Sequence, residues 1–201
     1  MITASGTLVI GKGTATVTLA AATLKQSYDG VAKLVTATTV PSNLTVTFTY
    51  NGSSVAPNAV GSHPVVITVS DVNYQGTASG ILVIGKGVQT ITFGVAPSVV
   101  VGGSGTVSAT GGASTSAVIF SSTTPTICTV SGSTVTGVLA GSCIIAANQA
   151  GDANYTVATS VTQALTIGTG VQKTTLASGA NSKLTGTANL KQAGTLRKKG
   201  P

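Results

Sequence analysis

Residues 5–13 read SGTLVIGKG and residues 79–87 read SGILVIGKG, so one nine-residue phrase returns 74 positions later with a single change. A weaker third copy, QALTIGTG, stands at 163–170. Recurrence of this kind marks a chain built from repeated structural units, and it has to be settled before any other reading of the fold. A second phrase recurs with it: DVNY at 71–74 and DANY at 152–155 each stand a short way upstream of a closing copy. The chain therefore divides into a first module at 14–85, a second at 86–168 and a tail at 169–201. Residues 1–13 are then expected to be the closing strand of a preceding repeat, as in a section of a longer array.

Within these modules the apolar residues fall at every second position. In TATVTL (14–19) Ala15, Val17 and Leu19 share one face and three threonines the other. LTVTFTY (44–50) places Leu44, Val46, Phe48 and Tyr50 together, and QTITFGV (89–95) does the same with Ile91, Phe93 and Val95. Such alternation describes antiparallel strands with one wet face. Asn51-Gly52, Asp29-Gly30, Gly102-Gly103, Gly111-Gly112 and Ser131-Gly132-Ser133 supply turns between them. No window has a helical period, and no run approaches the roughly 18 apolar residues of a spanning helix. The chain is 42% hydrophobic and only 6% charged, which is not the composition of disorder. The expected fold is all-β: two tandem β-sandwich modules, of the immunoglobulin-like kind that the resemblance given below implies, followed by a flexible basic C-terminal tail.

The repeated phrase also fits Gly-x4-Gly-Lys, at Gly6, Gly11 and Lys12 and again at Gly80, Gly85 and Lys86. A phosphate-binding loop next needs Ser or Thr for magnesium, but Gly13 and Gly87 stand there, and the intervening residues are strand-forming. The phrase is better explained as the seam between modules, with its lysines at ordinary surface sites where removal costs no more than about 0.5 kcal/mol. Other chemistry is limited by inventory. There is no Glu, one His and three Asp; a glycosidase needs two carboxylates facing across one site, but Asp29 stands in a Tyr-Asp-Gly turn and Asp71 and Asp152 occupy equivalent places in separate modules. His63 reads as an exposed loop residue. Asp71 and Asn73, like Asp152 and Asn154, offer oxygens at alternate positions, but calcium takes six to eight. The simpler reading is that these residues bond their own turns while Tyr74 and Tyr155 plug a core or corner. No catalytic residue, metal ligand or cofactor is expected.

Two stretches carry a resemblance. LKQSYDGVAKLVTATTVPSNLTVTFTYNGSSVAP followed by VVITVSDVNYQGTASGILVIGK is similar to the YDG/MBG-type repeat of large bacterial surface proteins. QTITFGVAPSVVVGGSGTVSATGG through FSSTTPTICTVSGSTVTGVLAGSCIIAANQAGDANY resembles a bacterial immunoglobulin-like repeat. The chain departs from the first pattern at GSHP (61–64), where an aromatic usually follows Gly-Ser, so His63 and Pro64 are expected to weaken that strand start. These families imply surface display, spacing and adhesion, and an extracellular or cell-surface location. MITASG itself has neither the basic run nor the apolar core of a secretion signal; if the parent protein is exported, its signal is expected upstream, or the start is an artificial one. Expected partners are neighbouring repeats and, beyond them, glycans or surface polymers. A carbohydrate-binding module and a strand-exchanging filament subunit are the alternative readings.

Cys128 and Cys143 lie in strand-like TICTV and GSCIIAA, 15 positions apart, with no further Cys or His spaced for zinc. They read as a disulfide formed in an oxidising compartment, against the competing arrangement of two buried free thiols. Six of the ten cations (Lys173, Lys183, Lys191, Arg197, Lys198 and Lys199) follow residue 168, where no acid occurs. The basicity therefore belongs to the tail, whose expected partner is an acidic polymer. It holds no aromatic for base stacking, so specific nucleic-acid recognition is not expected.

Overall fold

The computed structural model describes residues 6–170. Among them there is no α-helix. The first module contains β1 (Gly13–Thr14), β2 (Thr16–Leu19), β3 (Lys25–Ser27), β4 (Ala37–Val40), β5 (Val46–Tyr50), β6 (Gly61–Val69), β7 (Tyr74–Gln75) and β8 (Thr77–Gly85). The second contains β9 (Thr92–Phe93), β10 (Val99–Val100), β11 (Ser104–Thr106), β12 (Ala109–Thr110), β13 (Val118–Ser122), β14 (Cys128–Ser131), β15 (Thr134–Gly137), β16 (Gly141–Gln149) and β17 (Val161–Gly168). All paired strands lie within one module or the other. The expected tail lies outside the described residues.

Both modules are sandwiches built on one plan. A four-stranded sheet of order β3-β8-β6-β5 in the first corresponds to β10-β17-β16-β13 in the second. In each, the last strand of the module is an inner strand, with a short parallel strand from the module's beginning on its outer side. The alternation had implied antiparallel pairing throughout. It shows which face of a strand is wet, not which neighbour the strand takes, and β1–β7, β3–β8 and β10–β17 are parallel. The opposing layer is β2–β4 in the first module and β11-β15-β14 in the second.

The period-two faces become the cores. Val65, Ile67, Leu82 and Ile84 are buried with Val35 and Tyr50, with Val17, Leu19, Val46 and Phe48 packed against them. Val99, Val107, Val135, Ile145, Leu165 and Ile167 form the second core around the two cysteines. Val95 departs from the expected pattern: it is almost fully exposed, because β9 stops at Phe93 and the chain leaves the sheet. Asn51 and Gly52 both take positive φ, 50° and 81°, between Tyr50 and Ser53, which exchange backbone hydrogen bonds. That is the two-residue turn their sequence calls for.

His63 and Pro64 do not weaken β6. His63 is a strand residue opposite Leu82 and not a loop residue. Its Nε2 is 2.9 Å from the Ala59 carbonyl and its Nδ1 3.0 Å from Asn51 Nδ2, so Nε2 carries the proton and Nδ1 accepts. The Pro64 carbonyl accepts from the Asn51 amide, on the side where β5 has just ended. The missing N–H of Pro64 points the same way, where no ladder partner needs it.

Two buried glutamines organise the second module. Gln89 Nε2 donates to the carbonyls of Ala150 and Thr156 while its Oε1 accepts from the Ser114 amide. Gln149 Oε1 accepts from the Gly112 amide, and its Nε2 donates to the Ser116 carbonyl. Together they fasten the 111–116 loop to the four-stranded sheet, supplying partners for backbone groups that burial takes from water.

Candidate functional site

The seam phrase is not an anion cradle. Residues 80–85 lie in β8, whose backbone is taken up by β6 on one side and β3 on the other. The lysines that follow have specific partners instead. Lys86 Nζ donates to the Asp152 carbonyl at 2.5 Å, and Lys12 Nζ donates to the Asp71 carbonyl at the same distance. One residue on, the Gly87 amide donates to the Asn154 carbonyl and the Gly13 amide to the Asn73 carbonyl. Gly87 is bridged to Tyr155 and Gly13 to Tyr74, both in parallel. The two recurring phrases are thus the two halves of one joint: Gly-Lys-Gly leaving one closing strand is gripped by Asp-x-Asn-Tyr of the module it enters.

The acidic residues prepare the socket. Asp152 Oδ1 accepts from the amides of Asn154 and Tyr155, and Asp71 Oδ1 from those of Asn73 and Tyr74. Turning the carboxylate inward in this way leaves the Asp backbone carbonyl facing the lysine. This bears out the turn reading for both aspartates. The tyrosines, read as plugs of a core or corner, lie half-buried at the joint instead. The lysines are exposed, as expected of surface residues, and each also bonds a carbonyl 59 or 66 positions away.

Hydrogen bonds from the Asn154 and Tyr155 amides hold the Asp152 carboxyl below its ordinary value of 3.8. Asp29, in the Tyr-Asp-Gly turn, is also lowered, chiefly by its hydrogen bond with Lys33, whose ammonium lies 2.6 Å away. In the unfolded chain both titrate near the ordinary value. Their contribution is therefore complete above it, and is lost as pH falls through the lower folded values. Unfolding midpoints should drop on acidification through the carboxylate range, and Asp152→Asn should flatten that dependence for the second module.

The second joint has a roof that the first lacks. Tyr28, in the same Tyr-Asp-Gly turn, donates its amide to the Gly85 carbonyl and sets its ring edge-on against Tyr155, centroids 5.4 Å apart. A Cβ on Gly87 would lie 2.5 Å from the Tyr28 carbonyl and 3.0 Å from the Tyr155 ring. A Cβ on Gly13 would meet the Tyr74 ring at 3.3 Å and the Asn73 carbonyl at 3.7 Å, the latter an ordinary contact. Gly87→Ala should cost about 1–3 kcal/mol, the usual range for overpacking, and Gly13→Ala less than about 1. Chemical denaturation of the two variants checks the difference.

The sequence shows both phrases but not that they meet; a shared order in both modules was the available signal. The glutamine pair and the Tyr28–Tyr155 contact had no such signal. Cys128 and Cys143 are joined by a disulfide, so the expected pairing is present. Two open hollows lie elsewhere, one along Thr38, Thr39, Ser42, Asn43 and Leu44 and one along Lys25, Gln26, Ser27 and Val83; neither is lined by an aromatic ring or a carboxylate.

Residues 15–88 match the family model described as MBG domain. The matched segment takes in the first sandwich from β2 onward and its exit through Gly87. Among solved structures, the chain is similar to domains 4 and 5 of the S-layer protein SbsC, at 20% identity, covering 61% of this chain and 70% of that one, with a TM-score of 0.34. A structure of SbsC domains 1–6 is similar at 19% identity, covering 68% and 23%, with a TM-score of 0.36. So is the C-terminal 282-residue fragment of intimin, solved in complex with the intimin-binding domain of the translocated intimin receptor, at 20% identity, 63% and 52% coverage and a TM-score of 0.27. The chain thus spans about a quarter of the second structure and half of the third. No curated protein matches the chain.

Proposed function

We propose that this chain is a structural repeat segment, a spacer or stalk with adhesive capacity, of a bacterial cell-surface or secreted protein. The observation that carries the reading is the joint built twice from the same residues. A chain that spends its recurring residues on holding one module to the next gains reach by repetition, because each unit chiefly contacts its neighbours. The MBG-domain match over residues 15–88 supports the surface assignment. Residues 86–168 are, in this reading, a bacterial immunoglobulin-like repeat. Its partners are the neighbouring repeats first, then glycans or surface polymers, with the basic tail meeting acidic polymer. Antibody labelling of intact cells, with and without external protease, tests display; signal found only after lysis would overturn it.

The carbohydrate-binding alternative is less well supported, since sugar recognition favours exposed aromatic faces and the two hollows offer none. A glycan array tests it. The proposal also makes the chain a non-enzyme. Its three aspartates serve turns and one lysine, and both nitrogens of its histidine are engaged. Calorimetry with ATP and magnesium should show no saturable heat. Micromolar binding abolished by Lys86→Ala would restore the nucleotide reading.

A further inference from the structure

The same phrase has opposite surroundings in its two copies. Leu82 and Ile84 are fully buried in β8, whereas Leu8, Val9 and Ile10 are each more than 80% exposed and belong to no strand. Gly87 is buried and Gly13 exposed, although both make the same hydrogen bond into a D-x-N-Y socket. Gly11 has nothing within 4 Å of where a Cβ would be, while its counterpart Gly85 accepts a hydrogen bond from Tyr28. The sequence identity extends back to Thr3-Ala4, matching Thr77-Ala78, so only Thr7 against Ile81 differs over residues 3–13. Residues 12–13 and Tyr74 therefore form a completed socket with an uncovered, unpaired segment, residues 6–11, leading into it.

We infer that this surface is the receiving half of a further joint, and that its occupant is another module of the 14–85 type on the N-terminal side of the same polypeptide, with Leu8 and Ile10 in its core and its Tyr-Asp-Gly turn roofing Gly13 and Tyr74. The occupied joint at Gly87 shows what covers such a surface. A module of this type needs its last strand between its own β6 and β3 equivalents, and residues 6–11 carry the side chains that fill that slot: Leu8 for Leu82 and Ile10 for Ile84. Pairing there would supply ladder partners to the amides of residues 8–10 and remove Leu8 and Ile10 from water, while Val9, like Val83, would stay on the wet face. The inference rests on the array reading above and deepens it.

The test places a duplicate of residues 14–78 directly ahead of residue 5 of the full chain, so that residues 5–11 are the only closing strand it can use. In the chain as it stands, amides 8–10 should exchange quickly. In the extended chain they should slow by about a hundredfold or more, toward the protection of residues 82–84. Leu8→Asp with Ile10→Asp should abolish that protection and unfold the duplicate alone. A control in which the duplicate keeps its own residues 79–85, followed by a flexible linker, should fold while residues 8–10 stay fast. Fast exchange at 8–10 in the extended chain overturns the inference if the control folds. A control that does not fold overturns it together with the module division. Self-association of the unextended chain that Leu8→Asp and Ile10→Asp abolish would assign the surface to a second copy instead, also overturning it. Surface display and glycan binding are read from the unextended chain, so their failure is separable.

Discussion

Replacing Cys128 and Cys143 together by alanine lowers the stability of the second sandwich by about 3 kcal/mol and leaves the first unchanged. The bond closes a loop of 15 residues, for which the chain-entropy account gives about that figure. Its position adds to the effect. Cys128 lies in β14 of the three-stranded sheet and Cys143 in β16 of the four-stranded sheet, so the bond ties the two layers of the sandwich together. Both cysteines are fully buried among Ile145, Leu165 and Val135, and their truncation leaves space there as well. For a unit of this size 3 kcal/mol corresponds to a fall of roughly 12–24 °C in melting temperature. Calorimetry with and without reductant reads it directly. A second-module transition that does not move would show that the bond contributes nothing.

Leu82→Ala costs about 2–5 kcal/mol, the range for emptying a buried leucine site, whereas Leu8→Ala stays within about 0.5. The two leucines occupy the same place in the same phrase. Leu82 is fully buried against Val65, Ile67 and Tyr50, and Leu8 is 83% exposed. Denaturant unfolding of the two variants side by side tests whether surroundings and not local sequence set the value. Equal losses would mean that residues 6–10 pack in solution as β8 does. In the extended chain described above, Leu8→Ala should rise to the cost of Leu82→Ala.

The sites of chemistry were legible to different depths. The disulfide could be read because two cysteines in strand-like segments leave few alternatives. The turn role of Asp71 and Asp152 could be read because Asp bonds amides two and three residues ahead, a local interaction. The lysine contacts could not, because Lys86 and Asp152 are 66 positions apart and nothing near either one names the other. For the same reason His63 was misplaced. Its neighbours Gly61 and Pro64 suggest a loop, but the pairing with β8 and the end of β5 beside Pro64 make it a strand.

The sequence by itself determined that this is an all-β protein of repeated units, which faces of most strands are wet, and where the chain turns. These are consequences of a two-residue period and of residues that tolerate positive φ, and both act over a few positions. Only the tertiary structure decided what lies against each face: that the last strand of each module runs inside its sheet beside a parallel partner, that the cysteines bridge two layers, that Val95 faces water, and that Gly-Lys-Gly fits the Asp-x-Asn-Tyr turn. An apolar face records that something must cover it. What covers it is chosen by contacts between residues far apart in the chain, and so Leu8 and Leu82, alike in sequence, differ completely in burial.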